Sequence, residues 1–135
     1  MKNILYILFV GLFVSTGRAY TYEIYTYSPS DILYTGESIL FDGEGGMDGL
    51  TLYNDSFADI KGTSTLGQGT GGIWHISMFG ASTLNMLDGQ VHQIDFNNNA
   101  TATLKGGLIE SIYSYQIVPD PHITLYYSGT LPTVQ

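Results

Sequence analysis

Three stretches of this chain align without a gap at a spacing of 18 residues, and that repeat restricts its folds more than any other feature. Gly71-Gly72-Ile73-Trp74-His75-Ile76, Gly89-Gln90-Val91-His92-Gln93-Ile94 and Gly107-Leu108-Ile109-Glu110-Ser111-Ile112 share one pattern. It reads Gly, any residue, a β-branched apolar residue, two variable positions, then Ile. Two of the three are preceded at matching offsets by an apolar pair, Leu84 and Met86, then Ala102 and Leu104. Residues two apart on a strand point to one face. A unit of this size cannot bury an apolar face by itself. Stacked units turn each apolar position into a continuous ladder and pair each strand's N–H and C=O groups with the next coil. The expected fold is therefore all-β, a single-stranded parallel β-helix (β-solenoid) of about five short coils. Left-handed hexapeptide helices also have coils of this length, but no apolar position here repeats every six residues: Ile73 is followed by Phe79 and then Asn85. The right-handed form is expected.

Outside the strict repeat the register continues with insertions. Ile39 and Phe41, Ala58 and Ile60, and Ile123 and Leu125 match the same apolar pair, so the coil starts at 39, 58, 84, 102 and 123 are separated by 19, 26, 18 and 21 residues. The longest step is 18 residues plus the eight residues 63–70 (TSTLGQGT). Gly43 to Gly49 (GEGGMDG) lengthens the first coil at the same corner, so these loops should lie side by side on one face, where repeat proteins often bind. Gly71, Gly89 and Gly107 mark this corner. Asn54-Asp55 and Asn97-Asn98-Asn99 fall between coils, where sharp turns tolerate the left-handed conformation. The absence of any sustained 3.6-residue apolar period after residue 19, together with 17 Gly and 11 Tyr, agrees with strands and turns.

The N-terminus reads differently. Lys2, an apolar run from Ile4 to Val14, and Gly17-Arg18-Ala19 before Tyr20 form the pattern of a secretory signal peptide. The run is short for a bilayer span, and no cysteine follows it to carry a lipid. The domains expected are a signal peptide at 1–19 and a β-solenoid at 20–135, with the product secreted or at the cell surface and not inserted in the membrane after cleavage. From Tyr20 onward, twelve acidic residues face two bases, Lys61 and Lys105, a formal charge of −10. A nucleic-acid backbone needs a row of cations to replace its counterions, and anionic membranes and acidic polysaccharides would be repelled. With no cysteine, an exported chain must be held by packing and backbone pairing alone.

The segments STLNMLDGQVHQIDF and NNATATLKGGLIESIYSYQ resemble secreted bacterial parallel β-helix repeat proteins of unknown function, some with a C-terminal PEP-CTERM sorting tail. The resemblance covers about residues 31 to 129. The chain ends at Pro132-Thr133-Val134-Gln135 without such a tail and reads as a shortened member. The resemblance implies the fold and brings no activity with it.

Candidate sites follow from the register. Trp74, His92 and Glu110 share one row, and His75, Gln93 and Ser111 the next. With coils about 4.8 Å apart, His92 can reach Glu110 with Trp74 above. The row is the candidate ligand patch, for a sugar ring; as an ordinary cross-coil polar pair it would be purely structural. Zinc takes three or four such ligands, more than this row offers. A hydrolase would need Asp88, Asp95 and Glu110 to converge. A lyase would need an Arg or Lys base, and there is no Arg after Arg18, while Lys61 and Lys105 sit in no recognisable motif. No catalytic, cofactor or metal residues are assigned. The expected role is a structural or interaction module whose partner is a glycan or another surface protein. The alternative is a carbohydrate-active enzyme or a glycan-binding protein. Residues 43–50 resemble a single calcium nonapeptide with Glu44 at its second Gly and no second copy, which favours a flexible corner loop. The tyrosine-rich segment 20–34 (YTYEIYTYSPSDILY) should cap the first coil rather than bind glycans, and Ile123 to Tyr127 should form a last strand.

Overall fold

Adjacent coils with the same apolar pattern can align their ladders only if equivalent strands run parallel and in register. The computed structural model is built that way, and describes residues 19–29, 32–67, 69, 71–115 and 122–125. The segment read as a signal peptide, before Ala19, and the C-terminal end beyond Leu125 lie outside the described residues. No helix among the described residues is long and apolar enough to cross a membrane.

The strands are β1 (Tyr22–Ile24), β2 (Tyr27–Ser28), β3 (Ile32–Thr35), β4 (Ser38–Phe41), β5 (Gly46–Tyr53), β6 (Phe57–Ile60), β7 (Ile73–Met78), β8 (Thr83–Met86), β9 (Gln90–Phe96), β10 (Thr101–Leu104), β11 (Leu108–Ser114) and β12 (His122–Leu125). One sheet has the order β1-β4-β6-β8-β10-β12; the other runs β11-β9-β7-β5, with β2 and β3 both on β5. Each coil gives its first strand to one sheet and its second to the other. Five coils are completed by β11, and β12 opens a sixth. Among the described residues the chain is an all-β parallel solenoid without helices, as the repeat implied.

The ladders are those expected from the sequence. Ile39, Ala58, Leu84, Ala102 and Ile123 are register partners, as are Phe41, Ile60, Met86, Leu104 and Leu125. On the second sheet Met47, Ile73, Val91 and Ile109 form one column and Leu50, Ile76, Ile94 and Ile112 another. Leu52, Met78 and Phe96 form a third. Most of these side chains are completely buried. Between the first two columns the strict alternation of a strand is broken. Residues 73 and 76 point inward, but both residues between them, Trp74 and His75, are only partly buried. The chain bends there, and in the first coil β2 pairs with Gly46 and Met47 before this point and β3 with Leu50 to Tyr53 after it. The two adjacent variable positions of the repeat are thus the outer side of a bend.

The corners follow equally local rules. The junction between coils places Gly36, Asn54, Gly80 or Asn98 at its left-handed position, each with φ between 54° and 66°. Glycine and asparagine are the residues that enter this left-handed region at least cost. The last residue of three of these corners is small and completely buried: Ser56, Ser82 and Ala100. The Ser56 and Ser82 hydroxyls have no hydrogen-bond partner among the described residues. Ala100 shows that alanine fits the row. Ser82→Ala is therefore expected to stabilise the protein by about 1 kcal/mol, since it removes a desolvated hydroxyl without opening a cavity. Thermal unfolding would show a melting temperature raised by a few degrees; a decrease would contradict this account.

At the other corner, Gly89 and Gly107 have φ values of 107° and 89°, but in the coil with the insertion the left-handed residue is Gly72 rather than Gly71. Gly71 is instead bridged to Gly67 inside the loop. The segment Gly43 to Gly49 is a correction. It is not a flexible loop, because β5 starts at Gly46 and Met47 is completely buried. The corner spans only 42–45, one residue more than the corner 87–89.

Candidate functional site

The bend in β7, β9 and β11 turns two neighbouring rows of side chains outward on one flank. Register places Trp74, His92 and Glu110 in the first row, with Asp48 ahead of them on β5. The Trp74 and His92 rings stack, with centroids 3.9 Å apart and planes 15° from parallel. His92 Nδ1 lies 2.6 Å from Glu110 Oε2. The expected row is thus brought together. Because Trp74 and His92 sit on successive coils, a stack this close has its ring normals along the solenoid axis. The row shows ring edges to solvent, and one face of Trp74 is occupied by His92. The His92 and Glu110 side chains are 30% and 48% exposed, so as a structural link the pair contributes at most about 1 kcal/mol.

The second row holds a contact that row membership alone did not reveal. His75 Nε2 lies 2.8 Å from Asp95 Oδ2, a diagonal partner on the next coil and one row over. Gln93 donates its amide to Asp95 Oδ1 at 2.7 Å, and Ser111 donates to the His92 carbonyl at 3.1 Å. Ser77 Oγ is 3.4 Å from the same Nε2 of His75. Serine, histidine and aspartate therefore meet here, but not as a nucleophilic relay. A relay needs the carboxylate on one ring nitrogen and the hydroxyl on the other. With both on Nε2, a proton held toward Asp95 leaves no basic lone pair facing Ser77.

Asp88, Asp95 and Glu110 are each engaged by separate partners. Asp88 Oδ1 accepts the Gly89 N–H at 2.7 Å, Asp95 is held by His75 and Gln93, and Glu110 by His92. No group of three or more His, Cys, Asp or Glu that could hold a metal ion occurs among the described residues.

The inserted loop is tied to both neighbouring coils. Leu66 N donates to Gln90 Oε1 at 2.7 Å, Gln90 N to Thr63 Oγ1 at 2.7 Å, and Gly69 N to Asp48 Oδ1 at 3.2 Å. Beside it an open groove of about 590 Å³ crosses the corners of four successive coils, lined among others by Asp42, Lys61, Asp88 and Leu108. Of the two corner loops expected side by side, only the one that follows Lys61 is an insertion, and a groove lies beside it.

The tyrosine-rich segment forms the first coil, laid over β4 and β5. Its hydroxyls have a further role that composition did not reveal. Tyr20 donates to Asp59, Tyr22 to Glu37, Tyr25 to Glu23 and Tyr27 to Asp48. In a chain with few bases, phenols take the place of lysine and arginine beside carboxylates. Sequence offered one signal for this, an excess of tyrosine matched by an excess of acid. Desolvation, then the hydrogen bond to Asp48, pushes the Tyr27 phenol up to about 12. The hydrogen bond to Glu23 also raises that of Tyr25. An unfolded phenol ionises near 10.0. Tyr27 thus contributes stability that is complete below pH 10 and is lost as the pH rises through about 12. Tyr27→Phe is expected to make the alkaline fall in stability shallower, read from urea midpoints across that range. An unchanged slope would show that Tyr27 ionises normally.

These features define a class: a parallel β-solenoid with an ordered polar flank and a grooved corner. In comparisons with known proteins, no family model matches the chain, and no curated protein or solved structure matches it.

Proposed function

We propose that this chain is an exported, non-catalytic interaction module that presents a pre-ordered face to a partner at or beyond the cell surface. Export rests on the signal-peptide pattern of residues 1–19. The observation that carries the reading is the flank of β7, β9 and β11, where both histidines with described side chains are held by a carboxylate one coil on. Side chains ordered in advance lose little freedom when a partner docks. The acidic surface favours partners other than nucleic acid and anionic lipid. A glycan or another surface protein remains.

Trp74 is the only tryptophan in the chain, so its fluorescence reports directly on this flank. A glycan array and a fractionated cell-surface extract, each followed by titration of the active component, test the reading. The expected result is saturable binding that shifts Trp74 emission and weakens in Glu110→Ala. Absence of binding in both, or cleavage of a bound polysaccharide, would overturn it. The enzyme alternative is opposed by the separate engagement of Asp88, Asp95 and Glu110. Glycan binding without catalysis is favoured by the corner groove.

A further inference from the structure

We infer that the groove along the first corner of the coils binds a short stretch of neutral, hydroxyl-rich glycan laid along the solenoid axis. This rests on the reading of the chain as a binding module but uses a different face from the Trp74 flank. The first support is shape. Asp42, Lys61, Asp88 and Gly107 come from the corners of four successive coils, and all line the same groove of about 590 Å³. Three coil steps of about 4.8 Å give a length of about 14 Å. That suits an extended oligomer better than a compact metabolite, and the sugar repeat of an extended glycan is close to one coil step.

The second support is the chemistry of the lining. Asp42 and Asp88 are held alike: Oδ1 accepts the N–H of the following glycine, at 2.8 Å and 2.7 Å. Among the described residues nothing is hydrogen-bonded to either Oδ2. Two anchored carboxylates thus present an acceptor each, while the ammonium of Lys61, on the coil between them, lies 5.9 Å from the centre of the Tyr20 ring. Sugar hydroxyls donate to such acceptors. Leu108, 48% exposed at the end of the groove, offers apolar contact for the C–H face of a sugar ring. The third support is charge. Two carboxylates on a strongly acidic surface repel an anionic chain.

The full chain would be titrated with neutral gluco-, xylo-, manno- and galacto-oligosaccharides, with oligogalacturonate as the anionic probe and chitosan oligomers as the cationic one. Amide chemical shifts and calorimetry are the readouts. The expected result is saturable binding of a neutral oligomer that moves the amides of Gly43, Gly89 and Gly107 and leaves Trp74 emission unchanged. Asp88→Asn keeps the acceptor for Gly89 N–H but removes the charge, and should weaken binding about tenfold. Three results would overturn the inference: no binding by any neutral oligomer, preferential binding of either charged probe, or unaltered affinity in Asp88→Asn. A neutral glycan that shifts Trp74 emission but not the glycine amides would also overturn it, while leaving the module reading intact.

Discussion

Phe96→Ala is expected to lower the unfolding free energy by about 3–5 kcal/mol. Phe96 is completely buried and is one of the largest side chains of the core. Its column runs Leu52, Met78, Phe96, and its register partner on β11 is the exposed Ser114. The ring therefore both fills its own coil and ends the apolar column. Among the described residues of the following coil, the position beside it is a serine, too small to close the space that truncation leaves. Leu87→Ala is the matching control, because that side chain is 48% exposed and its loss should change stability by no more than about 0.5 kcal/mol. Chemical unfolding of the two variants beside the parent gives the comparison. A Phe96→Ala effect as small as that of Leu87→Ala would mean that the solenoid end is repacked freely.

The second large effect is expected at Gly46. A Cβ built there would lie 2.4 Å from the Gly72 carbonyl oxygen on the next coil. Its φ is not in the left-handed region, so the obstacle to a side chain is contact alone. Backbone cannot swing aside as a long side chain can, and Gly46→Ala is expected to cost about 1–3 kcal/mol by forcing the coils apart. Met47 N donates to Gly72 O at 3.0 Å, and that hydrogen bond sits at the point of separation. Hydrogen exchange at the Met47 amide should accelerate in Gly46→Ala. Gly43→Ala makes the contrast: φ there is 60° but nothing lies within 4 Å of the added Cβ. It should cost about 1–2 kcal/mol through backbone strain and leave Met47 exchange unchanged. Equal acceleration in both variants would refute the steric account.

These two residues also mark how far the chain could be read in advance. Phe96 falls in a column that follows from Ile76, Ile94 and Ile112 by counting along the repeat. Gly46 was read as part of a loop because glycines cluster around it. A glycine required by close coil approach and one required by a turn look the same in a sequence. Asn54 and Asn98 were legible as left-handed corners because a turn draws on a short list of residues. The Trp74–His92–Glu110 row was legible from spacing. The face-to-face stacking of its rings was not, nor was the Asp48 carboxylate that heads it.

What the sequence by itself determined is the coil: its length, the inward columns, the outward rows and the corner residues. These depend on local rules, apolar spacing and turn chemistry, that the repeat states several times over. What only the tertiary structure decided is which side chains meet across rows. His75 reaches Asp95 on a diagonal, Tyr20 reaches Asp59 from 39 positions away, and the inserted loop is pinned by Asp48 and Gln90. Such contacts depend on rotamer and reach between coils already stacked, and periodicity carries no information about either.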